Sequence, residues 1–139
     1  MTLQELSQLY WLNREIEKDI SRLEELKGRA YSISASKITG MPRGGNIAGS
    51  TIDRNAADIA DLEAIISAKI TQCMHERNRL ERYIADIPDS LTRMIFTLRF
   101  INGLSWLQVA FSIGGANTED SVKKICYRYV NRENKKERH

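Results

Sequence analysis

The sequence predicts an all-α protein, and three observations support this prediction. Apolar residues recur every three or four positions over two long segments, which places them along one face of a helix. Only two prolines, Pro42 and Pro88, interrupt the 139 residues. After Pro88, three shorter periodic segments are separated by glycine-containing breaks. The predicted architecture is a long, coiled-coil-like antiparallel helical hairpin followed by a small helix-turn-helix domain.

The first predicted helix runs from about Thr2 to Lys37. Residues 39–50, which read TGMPRGGNIAGS, hold four of the eight glycines and a proline, so we expect a loop there. The apolar stripe of the first helix consists of Leu6, Leu9, Leu12, Ile16, Ile20, Leu23, Leu26, Ala30 and Ile33.

The second predicted helix carries an apolar stripe from Ile52 to Ile87, with Ser50 or Thr51 as its expected N-cap. Two helices of matched length bury their stripes by folding back on each other, so residues 1–87 are expected to form the hairpin. Because its core is narrow, we expect the hairpin to leave apolar surface that a second copy covers in a homo-oligomer. The alternative is that the C-terminal domain covers this surface within one chain.

Residues 88–131 are predicted to form the helix-turn-helix domain. Its first helix reaches about Ile101, its second runs from Trp106 to about Ile113, and its third turns Val122, Ile125, Cys126 and Tyr129 inward. The expected N-caps are Asp89 or Ser90, Ser105, and Asn117 or Thr118.

Positive charge is concentrated at the C-terminal end. Residues 122–139 hold seven basic and two acidic side chains, a net charge of +5, while the other 121 residues hold 14 basic and 16 acidic ones. Such asymmetry is typical of a protein that binds nucleic acid, and residues 132–139 are expected to form a basic tail. The alternative is a solvated tail without a partner.

The outer face of the last helix is the candidate site for reading the major groove of double-stranded DNA. Basic side chains there meet phosphates or guanine edges, and hydroxyl groups bind bases or the backbone. The alternative is a three-helix bundle whose last helix is merely solvated. The candidate DNA-binding residues are Thr118, Glu119, Asp120, Ser121, Lys123, Lys124, Tyr127, Arg128 and Arg132.

Two of these candidates, Glu119 and Asp120, are acidic, and phosphates repel such charges. In the first turn of a helix, however, the macrodipole favours negative charge by about 0.3–1 kcal/mol. A carboxylate at this position also accepts a hydrogen bond from a cytosine amino group. We therefore expect the tip of this helix to meet bases while its body meets phosphates.

The segments IPDSLTRMIFTLRFINGLSWLQVAFSIGG and TEDSVKKICYRY resemble the C-terminal helix-turn-helix of sigma-70-type factors. The chain is more similar to small phage and prophage regulators of the ArpU and RinA kind, which are associated with late-gene transcription. This resemblance implies that Ser105 and Trp106 open the supporting helix and that Thr118 caps the recognition helix. The turn GGAN is about two residues longer than the usual tight form.

Other chemistries have little support in the sequence. His75 and His139 are the only histidines, and Cys73 and Cys126 lie far apart, so we expect no metal site, no cofactor and no enzymatic activity. The sequence shows no signal peptide and no apolar run of about 18 residues, so we expect a cytoplasmic protein with no membrane partner. The resemblance to phage regulators implies that this cytoplasm is that of a bacterial host cell.

Two alternative functions remain open. One is an adaptor that binds RNA polymerase or another regulator, because Trp106, Leu107 and Phe111 cannot all face one small core. The other is the small subunit of a phage packaging terminase, although such proteins usually carry their DNA-binding unit first.

Overall fold

A computed structural model describes residues 1–37 and 45–139, with side chains for residues 1–31 and 54–139. The described residues form helices and contain no strand, so the protein is all-α, as predicted. The helices are α1 (Leu3–Leu6), α2 (Gln8–Lys37), α3 (Gly45–Ala85), α4 (Ser90–Phe96), a π-helical segment that continues α4 (Thr97–Ile101), α5 (Trp106–Ile113) and α6 (Glu119–Glu137).

The first predicted helix is divided near its start. Thr2 caps α1, where its hydroxyl accepts from the backbone N–H of Glu5 and the Glu5 carboxylate accepts from the backbone N–H of Thr2 at 2.7 Å. The hydrogen bond from the Thr2 backbone lowers the pKa of Glu5. Ser7 then separates α1 from α2, and its hydroxyl donates to the Leu3 carbonyl at 2.9 Å. Such a bond competes with the regular helical pattern.

The prediction of a loop over residues 39–50 is wrong for residues 45–50, because α3 begins at Gly45. The expected caps, Ser50 and Thr51, therefore lie inside the helix. Glycine disfavours a helix by only about 1 kcal/mol per residue, whereas proline disfavours it by about 3. No proline follows Pro42 before Pro88, so nothing forbids helix in GNIAGS. Residues 38–44, which hold the rest of the expected loop, lie outside the described residues.

The chain divides into two compact units, and α2 and α3 contribute residues to both. In the unit of residues 14–72, Lys69 Nζ lies 2.6 Å from Asp19 Oδ2, and Lys27 Nζ lies 3.3 Å from Glu63 Oε1. The later α2 residue, Lys27, pairs with the earlier α3 residue, Glu63, so the two helices run antiparallel here. The hydrogen bond with Asp19 raises the pKa of Lys69.

The second unit comprises residues 1–13 and 73–139 and contains the main hydrophobic core. Its aromatic centre joins Phe96 to Phe100 and Tyr129, with ring centroids 5.3 and 5.5 Å apart in edge-to-face geometry. Burial raises the pKa of the Cys126 thiol to about 12, so this cysteine stays protonated and serves as a core residue. Helices α5 and α6 contribute Trp106, Val109, Ala110, Val122, Cys126 and Val130 to this core.

Candidate nucleic-acid interface

The start of α6 is held by a reciprocal cap. The Thr118 hydroxyl accepts from the backbone N–H of Ser121 at 3.2 Å, and the Ser121 hydroxyl accepts from the backbone N–H of Thr118 at 2.8 Å. The Ser121 hydroxyl also donates to the Thr118 carbonyl at 2.9 Å. Thr118 is therefore the cap, and Asn117 is not. Ser121, which we expected to contact DNA, has its hydroxyl engaged in this cap.

The turn between α5 and α6 depends on two glycines. Gly114 and Gly115 have φ values of 74° and 66°, a left-handed region that costs other residues roughly 1–2 kcal/mol. Asn117 closes the turn, because its Nδ2 donates to the Gly114 carbonyl at 3.0 Å. The turn therefore sets where α6 begins relative to α5.

None of the nine candidate DNA-binding residues is buried, but they do not share one face. At 3.6 residues per turn, Asp120, Lys124 and Tyr127 lie opposite the buried Val122 and Cys126. Along one flank of this central stripe lie Glu119 and Lys123, and along the other lie Ser121, Arg128 and Arg132.

The two adjacent lysines of α6 differ in their surroundings. Lys123 Nζ lies 3.3 Å from Glu119 Oε1, so one acidic and one basic charge offset each other on that flank. Lys124 is exposed and has no hydrogen-bond or ion-pair partner among the described residues, and the same holds for Arg128 and Arg132. These three side chains supply the unpaired positive charge of this surface.

Tyr127 is positioned by contact with the supporting helix. Its ring packs edge-on against Trp106 of α5, with centroids 6.0 Å apart. The Arg99 guanidinium lies 4.7 Å from the centroid of the Trp106 ring and donates to the Leu104 carbonyl at 2.9 Å. Arg99 belongs to the π-helical segment, and π-helical turns are frequent at functional sites. This chain of contacts connects α4, α5 and α6 beneath the exposed face.

A pocket of about 380 Å³ lies beside the flank that carries Arg128 and Arg132. Pro88, Asp89 and Thr92, from the start of α4, form its opposite wall. Asp89 caps α4 and accepts from the Thr92 hydroxyl at 2.7 Å and from its backbone N–H at 3.0 Å, which lowers the pKa of Asp89. The sequence did not indicate that this cap lies near the basic flank, because the two are more than thirty residues apart along the chain.

Sequence reasoning also missed Asn131. It is exposed, and its spacing from Lys124 and Tyr127 places it in the central stripe. An asparagine amide binds the adenine edge with two hydrogen bonds. Its position seven residues after Lys124 places it on the same face of the helix, a signal that is present in the sequence.

No family model matches the chain, and no curated protein or solved structure matches it. Within the described residues, no three His, Cys, Asp or Glu side chains are grouped so as to hold a metal ion. None of the described helices combines the length and apolar character needed to cross a membrane.

Proposed function

We propose that the protein is a DNA-binding transcriptional regulator that inserts α6 into the major groove. The observation that carries this proposal is the unpaired positive charge of Lys124, Arg128 and Arg132 on the outer side of a capped helix. The opposite side of the same helix packs into a close-fitting core, so the exposed side chains project from a rigid support. Rigid support favours specific recognition because less conformational freedom is lost on binding.

The three parts of the exposed face serve different purposes in this proposal. In the central stripe, Asp120, Tyr127 and Asn131 read base edges and Lys124 binds a phosphate, while Arg128 and Arg132 bind phosphates along one strand. Lys123, which is paired with Glu119, adds less to phosphate binding. The resemblance to ArpU- and RinA-type regulators supports a role in phage or prophage late-gene transcription in the bacterial cytoplasm.

The proposal predicts different effects for the two lysines. Lys124→Ala should weaken binding to a random-sequence duplex and reduce the slope of log K against log salt by about 0.9, as expected for the loss of one phosphate contact. Lys123→Ala should have a smaller effect because its charge is already offset by Glu119. Fluorescence anisotropy at several salt concentrations measures both quantities.

The matched control is Lys18→Ala, which removes the same charge from an exposed position of α2. This control should bind DNA as the wild type does. A wild-type protein that binds no duplex at low salt would refute the proposed function, and equal slopes for Lys124→Ala and Lys18→Ala would refute the role of Lys124.

A second candidate function is a protein-binding adaptor. The observation that favours it is the exposure of Leu107 and Phe111 on α5, which fulfils the expectation that the large apolar residues of this helix do not all enter the core. Copurification of RNA polymerase with the protein in the absence of DNA would support an adaptor.

A further inference from the structure

The outer face of α5 carries an apolar patch, defined here by Leu104, Leu107 and Phe111. The side chain of Phe111 is 89% exposed and that of Leu107 is 66% exposed. The two residues are four positions apart and therefore share a face of the helix. Together with Leu104, Gln108 and Ser112, they line a groove of about 490 Å³.

The segment around this patch carries no charge. Residues 101–118 contain no Asp, Glu, Lys or Arg, although 28% of the whole chain is charged. At that frequency, 18 residues would hold about five charged side chains, and the cores of protein interfaces show this kind of depletion together with exposed aromatic residues. The composition therefore indicates contact with protein and not with phosphate.

Neither the fold nor DNA binding requires this exposure. The opposite side of α5 buries Trp106, Val109 and Ala110, so the patch points away from the core. The proposed contact of DNA with the outer face of α6 does not use the residues of the patch. Tyr10 lies against Gly103 at the edge of the patch, and the 60% exposed Trp11 packs edge-on against Tyr10.

The size of the patch limits what it can do alone. Leu107 and Phe111 expose on the order of 300 Å² of apolar side chain, so two facing patches would bury roughly 600 Å². Stable dimers in solution bury about 1,200–2,000 Å². The patch is therefore too small to hold two free copies together, but a second attachment raises the effective concentration enough for a small contact to matter.

We propose that the α5 patch contacts the same patch of a second copy when both copies are bound side by side on DNA. An uncharged surface suits such a contact, because a twofold interface brings each group against its own kind and like charges would repel. The contact makes binding cooperative along the duplex. This inference rests on the proposed DNA-binding function, since DNA supplies the second attachment.

The test compares a short duplex of about 20 base pairs with one of about 100 base pairs, both of random sequence. The double variant Leu107→Ser and Phe111→Ser should bind the short duplex as the wild type does. On the long duplex, the cooperativity factor is the ratio of the affinity beside a bound copy to the affinity at an isolated position. In the double variant this ratio should fall about tenfold, a usual effect of truncating central interface residues. The control is Met94→Ser, which changes another exposed apolar residue and should leave cooperativity unchanged.

A disulfide experiment keeps the proposal testable if cooperativity is hard to resolve. In a Cys73→Ser background, Phe111→Cys should cross-link two copies on the long duplex, and Met94→Cys should not. The inference would be overturned if the double variant kept wild-type cooperativity and Phe111→Cys cross-linked no more than Met94→Cys. If the short duplex is still bound in that case, the proposed DNA-binding function stands. Loss of RNA polymerase binding in the double variant with unchanged cooperativity would also overturn it and assign the patch to polymerase. A wild type that binds neither duplex would instead overturn the proposed function, and this contact with it.

Discussion

At the scale of single residues, the two acidic side chains at the start of α6 have different surroundings. Glu119 lies on a flank, where its carboxylate is 3.3 Å from Lys123 Nζ. Asp120 lies in the central stripe and has no ion-pair partner among the described side chains. The macrodipole favours both charges, but only Asp120 is directed toward the surface proposed to meet bases.

We therefore expect their neutral variants to behave differently. Glu119→Gln should raise affinity for random-sequence DNA by about two- to fivefold, because it releases Lys123 from an exposed ion pair. Asp120→Asn should also reduce the preference for selected sites over random DNA, because it replaces a proposed base-contacting carboxylate. Site selection followed by competition binding measures this preference. If neither variant changes affinity or preference, the two acids only stabilise the start of the helix.

At the scale of elements, the Thr118 cap fixes where α6, and with it the proposed DNA-binding surface, begins. Thr118→Ala removes the hydroxyl that accepts from the backbone N–H of Ser121. We expect the free energy of unfolding to fall by about 1 kcal/mol, the usual effect of losing an N-cap. Denaturant unfolding followed by circular dichroism measures this change.

The control for the cap is Thr71→Ala, which removes an exposed hydroxyl from α3 that donates only to the Ser67 carbonyl of its own helix. Its effect on stability should be within about 0.5 kcal/mol of zero. Thr118→Ser should retain most of the stability, because serine is an equally good cap. Equal stabilities for Thr118→Ala and Thr71→Ala would contradict the importance of the cap.

At the scale of the whole molecule, the unit of residues 14–72 leaves apolar surface uncovered. Ile65 and Ile70 are 49% and 45% exposed, and Leu62 and Ile66, although buried, are less fully covered than most core residues of the other unit. Two helices bury only one line of contact between them. Helical hairpins reach full burial when two of them form a four-helix bundle, so we propose that a second copy packs here.

This proposal predicts a change of mass in solution. Ile65→Glu together with Ile70→Glu should convert a dimer into a monomer, because each charge would be buried without a partner in the interface. Sedimentation equilibrium measures the mass, and Ser67→Glu, which adds a charge at an exposed polar position of the same helix, is the control. A wild-type monomer would contradict the proposal, and a ring of eight or more copies would instead favour the terminase alternative.

The sequence by itself determined the helical class, most helix ends, the Ser105 cap of α5 and a pair of adjacent candidate caps for each of α4 and α6. These features depend on neighbours within a few positions, so a spacing of three or four, the short polar side chains before each helix, and Gly114 and Gly115 were enough to predict them. The glycines of residues 45–50 led to the wrong prediction of a loop, because the weak preference of glycine against helix is easily overridden.

Only the tertiary structure decided which side chains are exposed and lack an intramolecular partner. Lys123 and Lys124 are adjacent residues of the same type, but only Lys123 forms an ion pair among the described residues. The pocket beside Arg128 and Arg132, and the exposed faces of Leu107 and Phe111, likewise depend on how separate helices pack. The physical reason is that helix formation is governed by contacts along the chain, whereas burial and pairing are governed by contacts between segments distant in sequence.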